Sequence, residues 1–304
     1  MNTGATRKKI YIAGAGGMLG DAFYKVFSPF YELKCSDINL TSAWLDYLDF
    51  RSLDDYKSEV FSFRPDYLFH LGAHTDLEYC DTNPDDAYIT NTLSVENAVY
   101  IANTLKIPLL FISTAGIFDG LLDQYDDWDI PNPLGHYARS KWAAEKYVQS
   151  CISRHLICRA GWMMGGGPCK DKKFVQKILH QIKNGATQLF VVDDKLGTPT
   201  YTIDFAKNVK LLLESEVWGL YNLVCNGQSS RLEVATEILR LTGKYKDLEI
   251  VPVDSSHFQK EYFSMRPASE RLLTKKLDLR GLNIMRDWKT CLKEYISEYY
   301  CDYL

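Results

Sequence analysis

The fold is decided by the stretch Ile10-Tyr11-Ile12-Ala13-Gly14-Ala15-Gly16-Gly17-Met18-Leu19-Gly20. A short apolar run typical of a buried strand leads into a glycine-rich turn, and apolar residues then recur at helical spacing. Glycines at such a turn let a diphosphate approach the backbone, and the helix N-terminus offers free N–H groups and a positive dipole end. The spacing Gly14-x-x-Gly17-x-x-Gly20 differs by one residue from the standard dinucleotide fingerprint. We therefore predict a dinucleotide cofactor against Gly14, Gly16, Gly17, Met18 and Leu19.

A carboxylate follows the next predicted strand at the position that suits a ribose. Glu32–Asp37 ends in Asp37, about twenty residues beyond the glycines, where the side chain would accept from the adenosine ribose hydroxyls. No arginine follows closely to hold a 2′-phosphate. The sequence therefore favours NAD slightly over NADP.

Short apolar runs alternate with longer amphipathic stretches over the first 160 residues. The predicted strands Tyr67–Leu71, Leu109–Ile112 and Leu156–Cys158 are separated by predicted helices over Asp85–Leu105 and Ser140–Ser153. This alternation predicts a Rossmann-type, doubly wound parallel sheet in an α/β protein. We expect a cofactor domain over residues 1–162 and a smaller α/β substrate lobe over 163–304, with segments around 190–210 returning to the first domain.

Composition excludes several classes of protein. With 46% apolar and 24% charged residues and a net charge of −4, the chain lacks the basic face that nucleic acids and anionic membranes require. No segment approaches the roughly 20 apolar residues of a membrane span, and the apolar run after the basic N-terminus is too short for a signal peptide. The eight cysteines form no C-x-x-C pair, which indicates reduced thiols in a cytoplasmic protein without a metal site. The acidic run 123–129 is interpreted as a solvated loop, and the tyrosine-rich tail as an amphipathic helix that could serve a homodimer.

A phenol and an ammonium lie one helical turn apart at Tyr137 and Lys141. Tyrosine ionises near pH 10, so proton donation to a carbonyl near neutral pH requires a stabilised anion, which a fixed lysine supplies. Upstream, a buried strand ends in Ser113-Thr114, where a hydroxyl could bind a substrate carbonyl. We predict Tyr137 and Lys141 as catalytic residues, together with one of the two hydroxyls of Ser113-Thr114.

Together these motifs resemble the extended short-chain dehydrogenase/reductase superfamily, and within it the dTDP-4-dehydrorhamnose reductase-like family of nucleotide-sugar 4-ketoreductases. The resemblance covers nearly the whole chain and is carried by Gly14–Gly20, Leu48-Asp49, His70–Asp76, Ile112–Gly120, Pro133–Lys141, Arg159–Trp162, Val191–Tyr201, Gly219–Leu223 and Arg266-Pro267. The glycine and Tyr/Lys motifs point only to the superfamily, whereas Asp193–Tyr201 and Arg266-Pro267 point to the family.

The resemblance implies a role for each matching residue. Tyr137 would protonate a 4-keto oxygen, and Thr114 would be the catalytic hydroxyl that hydrogen-bonds this carbonyl. Lys141 would lower the pKa of Tyr137 and hold the nicotinamide ribose, and Asn91 would orient the lysine through water. The further implied cofactor contacts are Asp49 (near the adenine), Phe50, Leu71, Gly72 and Ala73. The implied substrate contacts are His74, Thr75, Ala115, Gly116, Trp162, Tyr201 and Arg266.

One departure from the family concerns the residues after Thr114. The family usually reads Ser-Thr-Asp-Tyr-x-Phe-Asp-Gly, but this chain has Ala115-Gly116 in place of the acid and the aromatic. We therefore expect a wider and less polar sugar pocket, and no 4,6-dehydratase activity, which needs an Asp-Glu pair there. Two alternatives to a reductase stay open: a nucleotide-sugar epimerase or epimerase–reductase, and a non-catalytic regulatory subunit like that of methionine adenosyltransferase, which resembles the same family.

Overall fold

The structure, a computed structural model, describes residues 7–244 and 248–303. The signal-peptide interpretation of the N-terminus concerns residues 1–6 and so lies largely outside the described residues. The strands are β1 (Lys9–Ala13), β2 (Glu32–Asp37), β3 (Leu45–Tyr47), β4 (Tyr67–His70), β5 (Leu109–Thr114), β6 (His155–Ala160), β7 (Trp162–Met164), β8 (Gln188–Val192), β9 (Leu196–Gly197), β10 (Pro199–Tyr201), β11 (Gly219–Leu223), β12 (Ser229–Ser230) and β13 (Glu249–Val253). The α-helices are α1 (Met18–Phe27), α2 (Leu53–Phe63), α3 (Leu77–Thr82), α4 (Pro84–Tyr88), α5 (Ser94–Leu105), α6 (His136–Cys151), α7 (Gly167–Lys170), α8 (Phe174–Lys183), α9 (Thr202–Glu214), α10 (Arg231–Leu241), α11 (Lys275–Leu279) and α12 (Trp288–Tyr299).

Seven parallel strands form the central sheet, in the order β11-β6-β5-β4-β1-β2-β3. The order reverses between β1 and β4, so the loops that follow these two strands diverge above the carboxyl edge. Such a switch point is where doubly wound sheets bind their ligands. The predicted fold class is confirmed.

Helices cover both faces of this sheet and complete its core. On one face α1 packs beside α9, and Phe23 of α1 meets Phe69 of β4 edge-on with ring centroids 5.7 Å apart. On the other face α2, α5 and α6 pack together, and Tyr11 of β1 lies 6.3 Å from Tyr56 of α2 between ring centroids. The two buried layers hold the strand ends in place, which is what positions the site.

Three strand pairs of the C-terminal half lie outside the central sheet: β7 with β10, β9 with β12, and β8 with β13. β11 lies within residues 163–304, the range predicted for the smaller lobe, but it joins the central sheet beside β6. Its residues Leu220 and Tyr221 are buried, and an apolar run of this kind is stable on either sheet, so only the tertiary pairing decides.

The helix predicted over 85–105 is interrupted. It consists of α4, a π-helical turn at Ile89–Leu93 and α5. Single π-turns inside α-helices occur frequently at functional sites, and periodicity cannot reveal them because the pattern shifts by one residue only. The helix predicted from Ser140 begins at His136, which places Tyr137 in its first turn.

Several predicted absences and one predicted loop can be compared with the described residues. No helix there is long and apolar enough to cross a membrane, and no cluster of three or more potential ligand side chains could hold a metal ion. The acidic run does not form a solvated loop throughout. Asp127 is buried and accepts from the backbone N–H groups of Asn222 and Lys276 at 2.7 and 2.9 Å, so it joins this loop to β11 and to α11.

Candidate active site

The glycine loop contains two kinds of glycine. Gly14 has φ 77°, and a methyl group there would lie 2.2 Å from the Gly72 Cα, so this position closes β1 onto the loop after β4. Gly20 is equally confined, because its methyl would lie 2.1 Å from the carbonyl oxygen of Ala15. Gly17 differs: a methyl there would meet nothing within 4 Å, and the side faces open space at the start of α1. That vacant side is the one from which a diphosphate would reach the helix N-terminus.

The N-terminus of α1 fits an anionic group. Its N-cap is Gly17, and no side chain of the protein caps the helix. Met18 is half-buried and Leu19 buried at the first helical turn, so the first N–H groups remain directed outward beside a small apolar wall.

Asp37 lies at the end of β2, beside the loop. Its Oδ2 accepts from the Gly16 N–H at 2.8 Å and its Oδ1 accepts from the Asn39 N–H at 2.8 Å. The carboxylate is thus held at the edge of the glycine loop and keeps lone pairs for ribose hydroxyls. This is the location that the sequence predicted.

The residues predicted around the adenine and nicotinamide follow two strands, β3 and β4, which are separated in the sheet by β1 and β2. Asp49 is paired with Arg51 at 2.6 Å, and hydrogen bonds from Arg51 lower the pKa of Asp49. Phe50 is buried against Gly72, where a methyl group would overlap the Phe50 ring at 2.2 Å. Leu71 continues the β1–β4 pairing by donating its N–H to Ala13, and Leu71 and Ala73 are half-buried. The contact of Phe50 with Gly72 therefore brings the segment after β3 against the loop after β4.

Asn91 lies in the π-helical turn and is fully buried. Its Oδ1 accepts from the His74 N–H at 2.8 Å, and its Nδ2 donates to the His74 carbonyl at 3.0 Å and to Ser140 Oγ at 3.1 Å. The side chain therefore fastens the loop after β4 to α6. Its amide donors are committed to these partners, so any orientation of Lys141 through water would start from the remaining lone pairs.

Lys141 is the most deeply buried cation of the site. It is 3% exposed, and its Nζ lies 4.2 Å above the ring centre of Phe111. Burial lowers its pKa to about 7, against the smaller opposing effect of Glu145. Within the described part of the chain, Nζ donates no hydrogen bond, which leaves its N–H groups for a ligand.

Tyr137 lies one turn before Lys141 on α6. Burial raises its pKa to about 12, a hydrogen bond from Thr114 lowers it in part, and the charge of Glu270 raises it. The structure does not show the lowering of the Tyr137 pKa by Lys141 that the resemblance implies. Burial also lowers the pKa of Lys141, so the lysine loses charge near neutral pH. The phenol is neutral at physiological pH and retains the proton that it would donate.

The residues after Thr114 separate into one that faces the site and one that does not. Thr114 Oγ1 accepts from the Gly116 N–H at 3.1 Å, which fixes a tight turn. Ala115 is 1% exposed and packs in an apolar cluster with Ile117 and Phe118, away from the residues that line the cavity at Tyr137. Gly116 lines a small cavity with Tyr137 and Glu270.

The sequence predicted a wide and weakly polar sugar pocket, but in the structure charged side chains from the C-terminal half lie beside it. Trp162 donates its indole N–H to Glu270 Oε2 at 2.6 Å, and the Arg231 guanidinium stacks 3.6 Å from the centre of its ring. Gly197 makes this possible, because a methyl there would overlap the indole at 2.3 Å. Sequence reasoning missed Glu270 and Arg231; they lie 108 and 69 positions beyond Trp162, and no local motif links them to it.

Four predicted substrate contacts have partners elsewhere in the protein: His74, Thr75, Tyr201 and, as described below, Arg266. His74 Nε2 lies 2.8 Å from Asp86, and Thr75 accepts from Lys173 Nζ at 3.1 Å. Tyr201 is fully buried, donates to Glu298 and packs on Tyr295, so it belongs to the core and not to the cavity.

Arg266 forms a two-bond ion pair with Glu78 of α3, at 2.7 and 2.8 Å. Burial raises the pKa of Glu78, but the pairing with Arg266 opposes this effect, and the net result is a lowered pKa. Arg266 therefore holds the C-terminal segment 264–270 against α3, beside the cavity, rather than presenting a free cation to a substrate.

Comparison with known proteins adds the family. The model of the RmlD substrate binding domain family matches residues 8–301. The chain belongs to this family. A dTDP-4-dehydrorhamnose reductase of Escherichia coli K12 is 27% identical, with 95% of this chain and 97% of the relative covered. The Bacillus subtilis spore coat polysaccharide biosynthesis protein SpsK is 28% identical over the same shares.

A solved structure supports the same assignment for this RmlD-family protein. The dTDP-4-dehydrorhamnose reductase of Bacillus anthracis, in complex with NADP, has a TM-score of 0.88 and 25% identity, covering 96% of this chain and all of that one. The family predicted from the sequence is confirmed.

Proposed function

We propose that this protein uses a reduced nicotinamide cofactor to reduce the keto group of a nucleoside-diphospho-4-keto-6-deoxy sugar, as a dTDP-4-dehydrorhamnose reductase does. The observation that carries the proposal is the hydrogen bond between Thr114 and Tyr137, with Lys141 one turn further along the same helix. The chain also has a glycine loop that is open at Gly17, and it matches the family model over residues 8–301. The SpsK relative supports a role in the synthesis of sugars for surface polysaccharides.

The chain's own residues bind and orient the substrate and move one proton. Thr114 would donate a hydrogen bond to the keto oxygen, and Tyr137 would transfer its phenolic proton to the same oxygen as negative charge develops. Lys141, when protonated, would stabilise the tyrosinate formed and hold the nicotinamide ribose. The cofactor, when bound, supplies the hydride for the keto carbon, while the protein contributes orientation and charge.

Residues around the glycine loop would hold this cofactor. Gly17 and the N-terminus of α1 would take the diphosphate, and Asp37 would accept from the adenosine ribose. Asp37 favours NAD slightly, since a 2′-phosphate beside a carboxylate is repelled. The Bacillus anthracis structure contains NADP, so NADH and NADPH are both to be assayed.

The two alternatives receive less support. An epimerase would keep its cofactor bound without net consumption, so nicotinamide absorbance in the purified protein and turnover without oxidation would favour it. A regulatory subunit would not need Tyr137, which lines the cavity, or Lys141, which lies one turn further along α6. The reductase names of the relatives also support the first proposal.

The cysteines and the C-terminal tail bear on the location and the oligomeric state of the protein. All eight cysteines are free thiols, which supports a reducing, cytoplasmic location. A homodimer remains a prediction, to be measured by sedimentation. Much of the tyrosine-rich tail packs inside the protein itself, because Tyr295 and Tyr300 are buried in the core.

The experiment that tests the proposal compares two tyrosines of α6. Purified protein is given NADH or NADPH and dTDP-4-dehydrorhamnose, and cofactor oxidation is followed by absorbance. Tyr137→Phe should lower kcat by about 10²- to 10⁴-fold, the usual contribution of a general acid. Tyr147→Phe, on the same helix but 38% exposed, is the matched control and should retain activity. A wild-type protein inactive on a panel of nucleotidyl 4-keto sugars would contradict the proposal.

A further inference from the structure

Glu270 brings a carboxylate beside Gly116, the residue that replaces the family's aromatic two positions after Thr114. Its backbone N–H donates to the Leu196 carbonyl at 2.8 Å, so the C-terminal segment is held against β9. Its Oε2 accepts from the Trp162 indole at 2.6 Å, which fixes the direction of the side chain. The other oxygen, Oε1, accepts no hydrogen bond from any residue that the structure describes.

The free oxygen and the Thr114 hydroxyl face the same small volume. A methyl group on Gly116 would lie 3.4 Å from Glu270 Oε1 and 3.5 Å from Thr114 Oγ1. Gly116 therefore leaves open the space between the two oxygen atoms, and that space belongs to the cavity that Tyr137 lines. A ligand atom held by Thr114 there is a near neighbour of the carboxylate.

The surroundings of Glu270 give it a rigid support and a nearby cation. Arg231 stacks 3.6 Å from the Trp162 ring centre and 4.6 Å from that of Phe174. Burial lowers the pKa of Arg231 to about 10, and the charge of Glu270 opposes that lowering, so the two charges lie within electrostatic range without forming an ion pair. An aromatic platform thus fixes both groups, as precise recognition requires.

We propose that Glu270 is a specificity-determining residue, whose Oε1 accepts a hydrogen bond from the sugar hydroxyl on C3, next to the keto carbon. The inference rests on the proposed function, in which Thr114 binds the C4 oxygen. Of the two carbons that flank C4, C3 carries a hydroxyl, whereas C5 carries a methyl group and the ring oxygen. A carboxylate oxygen can only accept, so the C3 hydroxyl is the one matching donor.

This role predicts discrimination against a sugar that lacks the hydroxyl. Such an analogue would leave a buried carboxylate oxygen without its donor, which costs more than the loss of an ordinary neutral contact. The competing, purely structural role is that Glu270 only anchors Trp162. In that case its removal would weaken every sugar nucleotide equally.

The test measures equilibrium binding by calorimetry with dTDP-L-rhamnose, its 3-deoxy analogue and dTDP. The wild type should bind dTDP-L-rhamnose about 10- to 100-fold more tightly than the 3-deoxy analogue. Glu270→Ala should abolish this ratio while leaving the affinity for dTDP unchanged, and Glu270→Gln, which keeps an acceptor for Trp162, should give an intermediate ratio. Trp162→Phe removes the anchor and serves as the structural comparison.

Each result decides. A wild type without preference for the 3-hydroxyl, or a Glu270→Ala variant that keeps the preference, would overturn the inference. So would equal losses for both sugars in Glu270→Ala and Trp162→Phe, since they indicate anchoring alone. Reduction of 4-keto sugars by the same wild-type preparation is measured separately, so a protein that binds as described but reduces nothing would refute the proposed function and not this inference.

Discussion

Replacing Gly17 with alanine should weaken cofactor binding without destabilising the fold. The backbone at Gly17 has φ −86° and ψ −176°, which alanine adopts freely, and the added methyl meets no atom of the protein within 4 Å. Alanine stabilises the protein by about 0.4–1 kcal/mol because it reduces the conformational entropy of the unfolded chain. As a poorer N-cap it destabilises the protein by about 0.5–1 kcal/mol. The two effects oppose each other, so the free energy of unfolding should change by less than about 1 kcal/mol.

The matched comparison is Gly14→Ala, three residues earlier in the same loop. Its φ of 77° costs an alanine about 1–2 kcal/mol, and a methyl 2.2 Å from the Gly72 Cα forces a displacement of backbone that costs about 1–3 kcal/mol more. We expect Gly14→Ala to lose about 2–5 kcal/mol of stability. Urea unfolding of the two variants separates the confined glycine from the open one.

Cofactor binding should rank the variants differently. At Gly17 the methyl stands where a diphosphate would approach the N-terminus of α1, so at least one hydrogen bond to a charged group is lost. That predicts about 10- to 100-fold weaker binding of NADH in a fluorescence titration, from a stably folded variant. A Gly17→Ala variant that binds NADH with wild-type affinity, or that unfolds as easily as Gly14→Ala, would contradict this prediction.

Three further predictions concern the charged groups. Glu145→Ala should cost about 3–5 kcal/mol in urea unfolding, because Arg159 would lose its partner in a pair whose side chains are 2% and 4% exposed; an unchanged midpoint would contradict this. The pKa of Lys141 is lowered to about 7 by burial, so kcat/KM should fall as pH rises through that value and the lysine loses its charge; a flat profile between about pH 6 and about pH 9 would oppose it. Arg266→Ala should weaken the closure onto Glu78 and raise KM about 10-fold or more with a smaller change in kcat, and a change in kcat alone would argue against a closing role.

The sequence by itself determined the elements whose signals are local. The glycine loop, Asp37 after the second strand, and Tyr137 and Lys141 on one helix face follow from spacings of a few residues, because strand and helix periods are set by the backbone. The parallel sheet followed from the alternation of such elements, and the family from motifs spread along the chain.

The tertiary structure alone decided which distant residues complete the site. Arg266 meets Glu78 across 188 residues, and Glu270 meets Trp162 across 108, so neither pairing has a sequence period to announce it. The sequence after Thr114 contains no acid and therefore predicted a less polar pocket. Glu270, which is distant in sequence, nevertheless brings a carboxylate into the cavity. The sequence thus set the chemistry on which the proposed reduction depends, and long-range packing set the charges that surround the sugar pocket.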